Sequence, residues 1–215
     1  MNTEQALLWN SLCNLGQLTK LKLNFNGYDA VNKLEQYKDN WCPYNTKKDK
    51  VNNRWGLPLT SFDGDITSNQ HLNSFGYMQR YHGQEYKEED FNVPTVAYEQ
   101  LNEIQNIVDI FKPYLGRVHI LRIDQGGYFP PHRDFPGPDP EYVRLFSVFG
   151  KSKPENYSFI LDGKLINPDN GYMYFANFQL DHSVFSYSDG VYILIVTIKI
   201  NRHTHDLILK HSMSE

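Results

Sequence analysis

Two periodicities divide the chain. Across residues 3–18 apolar side chains at Ala6, Leu7, Leu8, Leu12 and Leu15 recur at roughly helical spacing, and residues 19–25 then alternate through Leu21, Leu23 and Phe25. That order predicts a helix followed by a strand, because a helix face repeats every three to four residues and a strand face every two. Residues 28–37, with Ala30, Val31 and Leu34 on one side, predict a second short helix. Residues 40–95 lose both rhythms and are rich in Asn, Asp, Lys and Gly, apart from the island Trp55-Gly-Leu-Pro-Leu59. They read as long loops, which usually carry function or flexibility. Residues 96–115 repeat Leu101, Ile104, Ile107, Val108 and Phe111 before Pro113, the strongest helical pattern in the chain.

After Gly116 the period shortens. Runs rich in Val, Ile, Phe and Tyr at 118–124, 128–132, 142–149, 157–161, 172–175, 182–186 and 191–200 are separated by Gly, Pro, Asp and Asn, and Asp162-Gly163-Lys164 has the composition of a hairpin turn. So many short strands predict a mostly β fold of two packed sheets or a barrel, with the earlier helices on an outer face. The expectation is one domain over 1–215: a helical and loop-rich part at 1–115, a β core at 116–201 and a tail at 202–215.

Composition narrows the function classes. Fifteen Tyr, 13 Phe and 3 Trp supply enough apolar surface for a packed core. A net charge of −4 gives no electrostatic footprint for nucleic acid or an anionic membrane, so neither is expected as a partner. Cys13 and Cys42 have neither the number nor the spacing of a disulfide framework or zinc knuckle. The first residues lack a basic stretch leading into an apolar run, and residues 191–198 fall far short of the roughly 20 needed for a spanning helix, so a cytoplasmic location is expected.

Chemistry concentrates in Pro130-Pro131-His132-Arg133-Asp134. His132 and Asp134 stand two residues apart at a strand end and share a face, and His182 opens a later strand. Two imidazoles and one carboxylate on one face of an octahedron leave positions open for a co-substrate and O2, the requirement of a non-haem Fe(II) site.

These pieces, in this order, resemble the Fe(II)/2-oxoglutarate-dependent oxygenases, and more narrowly the aspartyl/asparaginyl β-hydroxylase-like branch that includes free-proline hydroxylases. The likeness spans roughly residues 114–201 and runs through Leu121-Arg-Ile, Gly126-Gly127, His132-Arg-Asp134, Arg144, Gly171-Tyr-Met-Tyr-Phe, His182-Ser-Val184, Ser188 and Asn201. It implies a double-stranded β-helix, or jelly roll, with His132, Asp134 and His182 holding Fe(II). It further implies O2 and 2-oxoglutarate as co-substrates and hydroxylation of an amino acid or of an amino-acid side chain in a peptide.

The far carboxylate of 2-oxoglutarate needs a cation if it is buried. Arg144 interrupts a stretch apolar on both faces and stands twelve residues after His132, matching a family arginine. The family commonly places a second arginine ten residues after the distal histidine, where this chain has Tyr192. Tyr192 and Ser188 offer hydrogen bonds without charge, and Lys199 has the opposite strand parity from Tyr192.

Arg54-Trp55-Gly56-Leu57 and Phe75-Gly-Tyr-Met-Gln-Arg-Tyr81 are candidates for a lid, with core packing and loop anchoring the plainer reading. Arg133 reads as a surface charge, His119 as a satisfied core histidine, His71 and His82 as loop residues. His203, His205 and His211 form no convincing metal cluster. Two alternatives to the oxygenase stand beside it: a jelly-roll protein that has lost turnover, and a metalloenzyme of cupin type that does not use 2-oxoglutarate.

Overall fold

Helical spacing at the start of the chain carries only to Cys13. Helix α1 (Thr3–Cys13) is followed by β1 (Leu18–Asn24), with Gly16 turning the chain at a positive φ of 127° between them. The computed structural model describes residues 3–44, 53–67, 83, 85–134 and 141–213. Helix α2 (Gly27–Leu34) starts on Asn26, whose side-chain oxygen accepts from the N–H groups of Tyr28 and Asp29, and it tightens into a 3-10 turn at Glu35–Tyr37. The described part of the loop-like segment holds more structure than its polarity predicts: β2 (Cys42–Pro43), β3 (Arg54–Pro58), β4 (Thr60–Ser61), a 3-10 turn at Glu88–Phe91 and β5 (Val93–Pro94). The apolar island is a sheet strand with Gly56, Leu57 and Pro58 buried. The candidate lid segment 75–81, like His71 and His82, lies outside the described residues.

The helix expected at 96–115 is divided. Helix α3 (Val96–Gln100) ends at Leu101, which adopts φ −92° and ψ 61°, and the chain resumes as α4 (Asn102–Val108) and a 3-10 turn at Asp109–Phe111. Tyr98, Leu101 and Ile104 are all buried, so the apolar rhythm runs through the break and conceals it.

The β core comprises β6 (Leu115–Ile123), β7 (Tyr128–His132), β8 (Tyr142–Gly150), β9 (Tyr157–Leu161), β10 (Lys164–Ile166), β11 (Tyr172–Ala176), β12 (His182–Ser186) and β13 (Val191–Lys199). The larger sheet has the order β1-β11-β8-β13-β6-β3-β2 and the smaller β10-β9-β12-β7, while β4 and β5 pair separately. Set aside β1, β2 and β3 at the edges, and two four-stranded antiparallel sheets face each other, with the chain passing back and forth between them. This is the mostly β, double-stranded β-helix the strand pattern and resemblance lead one to expect. Asp162 and Gly163, with φ of 50° and 71°, make the two-residue hairpin that sets Leu161 opposite Lys164. Where β6 crosses to β7, a Cβ on Gly127 would meet the Asn53 carbonyl oxygen at 2.3 Å, so this crossing requires glycine.

The larger sheet has two buried faces. On β13 the even positions Tyr192, Leu194, Val196 and Ile198 pack with α1, α2 and α4 residues such as Leu12, Leu34 and Ile104. Val191 and Ile193, with Phe146 and Val148 of β8, instead join Phe159, Phe178 and Val184 between the sheets. Helix α5 (Arg202–His211) closes the helical layer: Asn201 caps it, and buried His205 places Nε2 3.0 Å from Ser11 Oγ of α1.

Candidate metal centre

His132 ends β7 and His182 begins β12, and the two are direct register partners in the smaller sheet. Their rings lie 4.2 Å apart between centroids. Past β7 the chain is pinned by the Asp134 N–H, which donates to the Phe178 carbonyl at 2.8 Å, and this turns the carboxylate between the imidazoles. Asp134 Oδ1 is 3.8 Å from His132 Nε2, and Oδ2 is 3.8 Å from His182 Nε2. Among the described residues, these three form the one His/Cys/Asp/Glu group whose ligand atoms converge, all within 4.8 Å.

The hydrogen bonds behind the rings fix their chemistry. His132 Nδ1 lies 2.7 Å from the Pro130 carbonyl oxygen and His182 Nδ1 lies 3.1 Å from that of Leu180. A carbonyl only accepts, so each Nδ1 carries the proton and each Nε2 turns its lone pair toward the shared centre. Burial, and then the neighbouring His132, push the His182 pKa below its ordinary value. Burial alone would raise the Asp134 pKa, but Arg144 and then the two histidines outweigh it and hold the carboxyl ionised. Two neutral nitrogen donors, one carboxylate and open space beside them suit a divalent ion such as Fe(II).

The group sits on a cavity of about 560 Å³ between the sheets. Its walls are apolar, including Leu121, Phe159, Phe178, Val184, Ile193 and Ile195. Its polar floor is richer than the sequence disclosed. Arg144 Nη1 donates to Asp134 Oδ2, and Arg144 Nη2 lies 3.8 Å from Glu88 Oε1. Glu88, 1% exposed, receives two bonds of 2.8 Å from Arg117 Nε and Nη2. The Glu88 turn can approach because residue 116 is glycine: a Cβ there would stand 2.8 Å from the Glu88 Cβ.

Sequence reasoning brought His132, Asp134, His182 and Arg144 to notice, and the structure gathers them on one cavity. It does not bring Tyr192 there. Tyr192 occupies the helix-facing side of β13, stacked on Phe149 with ring centroids 5.3 Å apart. Ser188 lies in the turn before β13, where its carbonyl accepts from Ser186 Oγ, and it does not line the cavity. Lys199 has the inward parity but bonds to Glu89 at 2.7 Å. Arg54 does line the cavity, donating to the Tyr44 and Tyr128 carbonyls while its guanidinium lies 4.3 Å from the centre of the Phe129 ring. Arg133 pairs with Asp181 in the open.

Glu88, Arg117 and His119 escaped notice as site residues. For the last two a signal existed: Arg117, His119 and Leu121 alternate along β6 and all line the cavity. His119 corrects the reading of a satisfied core histidine, because Nδ1 is buried with no hydrogen-bond partner among the described residues.

No protein-family model and no curated protein matches the chain. Solved structures do resemble it. A prolyl hydroxylase from Trichoplax adhaerens, in complex with a peptide fragment of the hypoxia inducible factor oxygen degradation domain, aligns over 92% of this chain and 91% of its own, at 12% identity and a TM-score of 0.52. An RmlC-like cupin from Desulfovibrio desulfuricans aligns over 40% of this chain and 72% of its own, at 17% identity and a TM-score of 0.31. At 12% identity the likeness to the hydroxylase is one of fold alone, and the chemistry must be argued from this chain's own side chains.

Proposed function

We propose that this protein is an Fe(II)- and 2-oxoglutarate-dependent dioxygenase, of the aspartyl/asparaginyl β-hydroxylase-like branch, that hydroxylates an amino-acid side chain in a peptide or a free amino acid. One observation carries the reading: His132, Asp134 and His182 aim their donor atoms at one point on a cavity whose floor holds the buried cation Arg144. Bound iron, with 2-oxoglutarate and O2, would supply oxidation of an unactivated C–H bond, the co-substrate leaving as succinate and carbon dioxide.

The chain's own residues do the rest. The Pro130 and Leu180 carbonyls keep both imidazoles in the tautomer a metal requires. Asp134 supplies the anionic ligand, and Arg144 beside it supplies the positive charge for the far carboxylate of 2-oxoglutarate. Phe159, Phe178, Val184 and Ile193 exclude water from the space between and keep the oxidising centre away from other polar groups. A peptide substrate is favoured over a free amino acid by the fold's likeness to an enzyme captured with a peptide.

A second reading, a jelly-roll metal protein without 2-oxoglutarate, is favoured by one feature. Glu88 and Asp134 already offset the charges of Arg117 and Arg144 on the cavity floor. Anaerobic protein with Fe(II) and 2-oxoglutarate separates the two. A visible charge-transfer band, with succinate formed when air is admitted, is the result expected of the dioxygenase. Fe(II) binding with neither signal establishes the second reading instead.

A further inference from the structure

His119 lines the cavity with one ring nitrogen unmatched among the described residues. It lies in the middle of β6, in register with Ile195 of β13 on one side and Pro58 of β3 on the other, so its ring is held at the centre of the larger sheet. The residue is 7% exposed, lines the cavity, and stacks beneath Tyr44 with ring centroids 6.3 Å apart and planes 18° from parallel. Its Nδ1 has no hydrogen-bond partner among the described residues. Nor has Thr197 Oγ1, which is fully buried on β13 opposite Arg144 in register. A buried polar atom left unmatched is costly, so two of them in one neighbourhood mark a place that something polar would fill.

The surroundings say what kind of group. Burial, and then the charges of Arg117 and Arg144, hold the His119 pKa well below its ordinary value, so the ring is neutral and offers one N–H rather than a charge. A neutral N–H donor close enough to Arg117 and Arg144 to feel their charges suits a carboxylate oxygen. An apolar ligand would leave the nitrogen unmatched.

We propose that His119 is a co-substrate-binding residue, its Nδ1–H donating to the far carboxylate of a bound 2-oxo dicarboxylate beside the positive charge of Arg144. This rests on the dioxygenase reading and adds to it a contact from β6. It also accounts for the imidazole at this position in a strand otherwise dominated by Val, Ile and Leu.

The test uses the full chain loaded with Mn(II), which is redox-silent here, and follows 2-oxoglutarate binding by calorimetry with no turnover required. Substituting His119→Phe or His119→Leu removes the nitrogen, and His119→Gln restores an N–H donor. Affinity for 2-oxoglutarate is expected to fall about tenfold or more in the two apolar variants and to recover in part in the glutamine variant. Mn(II) affinity should not change. The melting temperature of the ligand-free apolar variants should hold or rise, since an unmatched buried donor has been removed. Unchanged 2-oxoglutarate affinity in whichever apolar variant folds would overturn the assignment. So would a lowered melting temperature with no recovery in the glutamine variant, the mark of a purely structural ring. If the wild-type Mn(II) protein itself binds no 2-oxoglutarate, the dioxygenase reading falls first and the His119 assignment with it.

Discussion

Arg144 of β8 donates to the carboxylate of Asp134, so the cavity's cation and the centre's anionic ligand are partners. A metal ion drawing on the same carboxylate weakens Arg144's hold and leaves its charge for an incoming anion. Arg144→Met should therefore leave Mn(II) affinity unchanged or improved and raise the 2-oxoglutarate requirement at least tenfold. Titration of Mn(II) by electron paramagnetic resonance and of 2-oxoglutarate by calorimetry reads the two effects separately. Equal loss of both would show that Arg144 supports the centre as a whole.

His132→Ala and Asp134→Ala should each reduce metal-dependent turnover by about a hundredfold or more, since each removes one of the three donors that converge among the described residues. His132 is only half-buried at the end of a strand, so its alanine variant should melt within a few degrees of the wild type. Full activity in that variant would remove the ligand assignment.

Tyr192→Phe gives the opposite expectation. The ring faces the helices and stacks on Phe149, so the 2-oxoglutarate requirement should stay within about twofold of the wild type. A rise comparable to that of Arg144→Met would mean the tyrosine reaches the co-substrate after all.

Acid stability should depend on Glu89, the neighbour of Glu88 on the same turn. Burial works against its ionisation, but the bonds from Lys199 and Tyr142 outweigh that and hold its pKa at about 2 against an ordinary 4.5. A carboxyl with a lower pKa in the folded state contributes stability above pH 4.5 and loses that contribution as pH falls toward 2. Glu89→Gln should thus melt lower than the wild type at neutral pH and lose less on acidification through this window. Parallel melting curves for the two proteins would disprove the linkage.

Gly116→Ala should destabilise by about 1–3 kcal/mol, because its Cβ would press on the Glu88 turn at 2.8 Å from Cβ and 3.2 Å from the carbonyl carbon. Chemical denaturation checks the cost. An undisturbed variant would mean that the turn yields without strain.

Much of the fold could be read from the strand-length apolar runs, because strands such as β6, β8 and β13 are buried along most of their length and the run boundaries fall at glycines and turns. The metal-ligand candidates were legible for a similar reason: His132 and Asp134 share a strand-end face, and His182 opens its own strand. What escaped detection depends on pairing across the chain. The strand at Arg54–Pro58 shows in the sequence only as an apolar island without a period, and its registry with β6 is what makes it a strand. Glu88 enters the cavity from a polar segment with no period, drawn by Arg117. Tyr192 was placed by its distance from His182, but the turn into β13 sets its parity, and that parity carries it to the far side of the sheet.

Strand β13 serves two compartments through a rhythm of two, its even positions seating the helices and its odd positions turning toward the chamber. One residue inserted or deleted near its start would exchange the compartments wholesale, sending a tyrosine where an isoleucine belongs and stranding Thr197 among the helices. Such indels should be far more damaging than any single replacement along the same strand, so the length of the loop entering it is under tighter constraint than its composition.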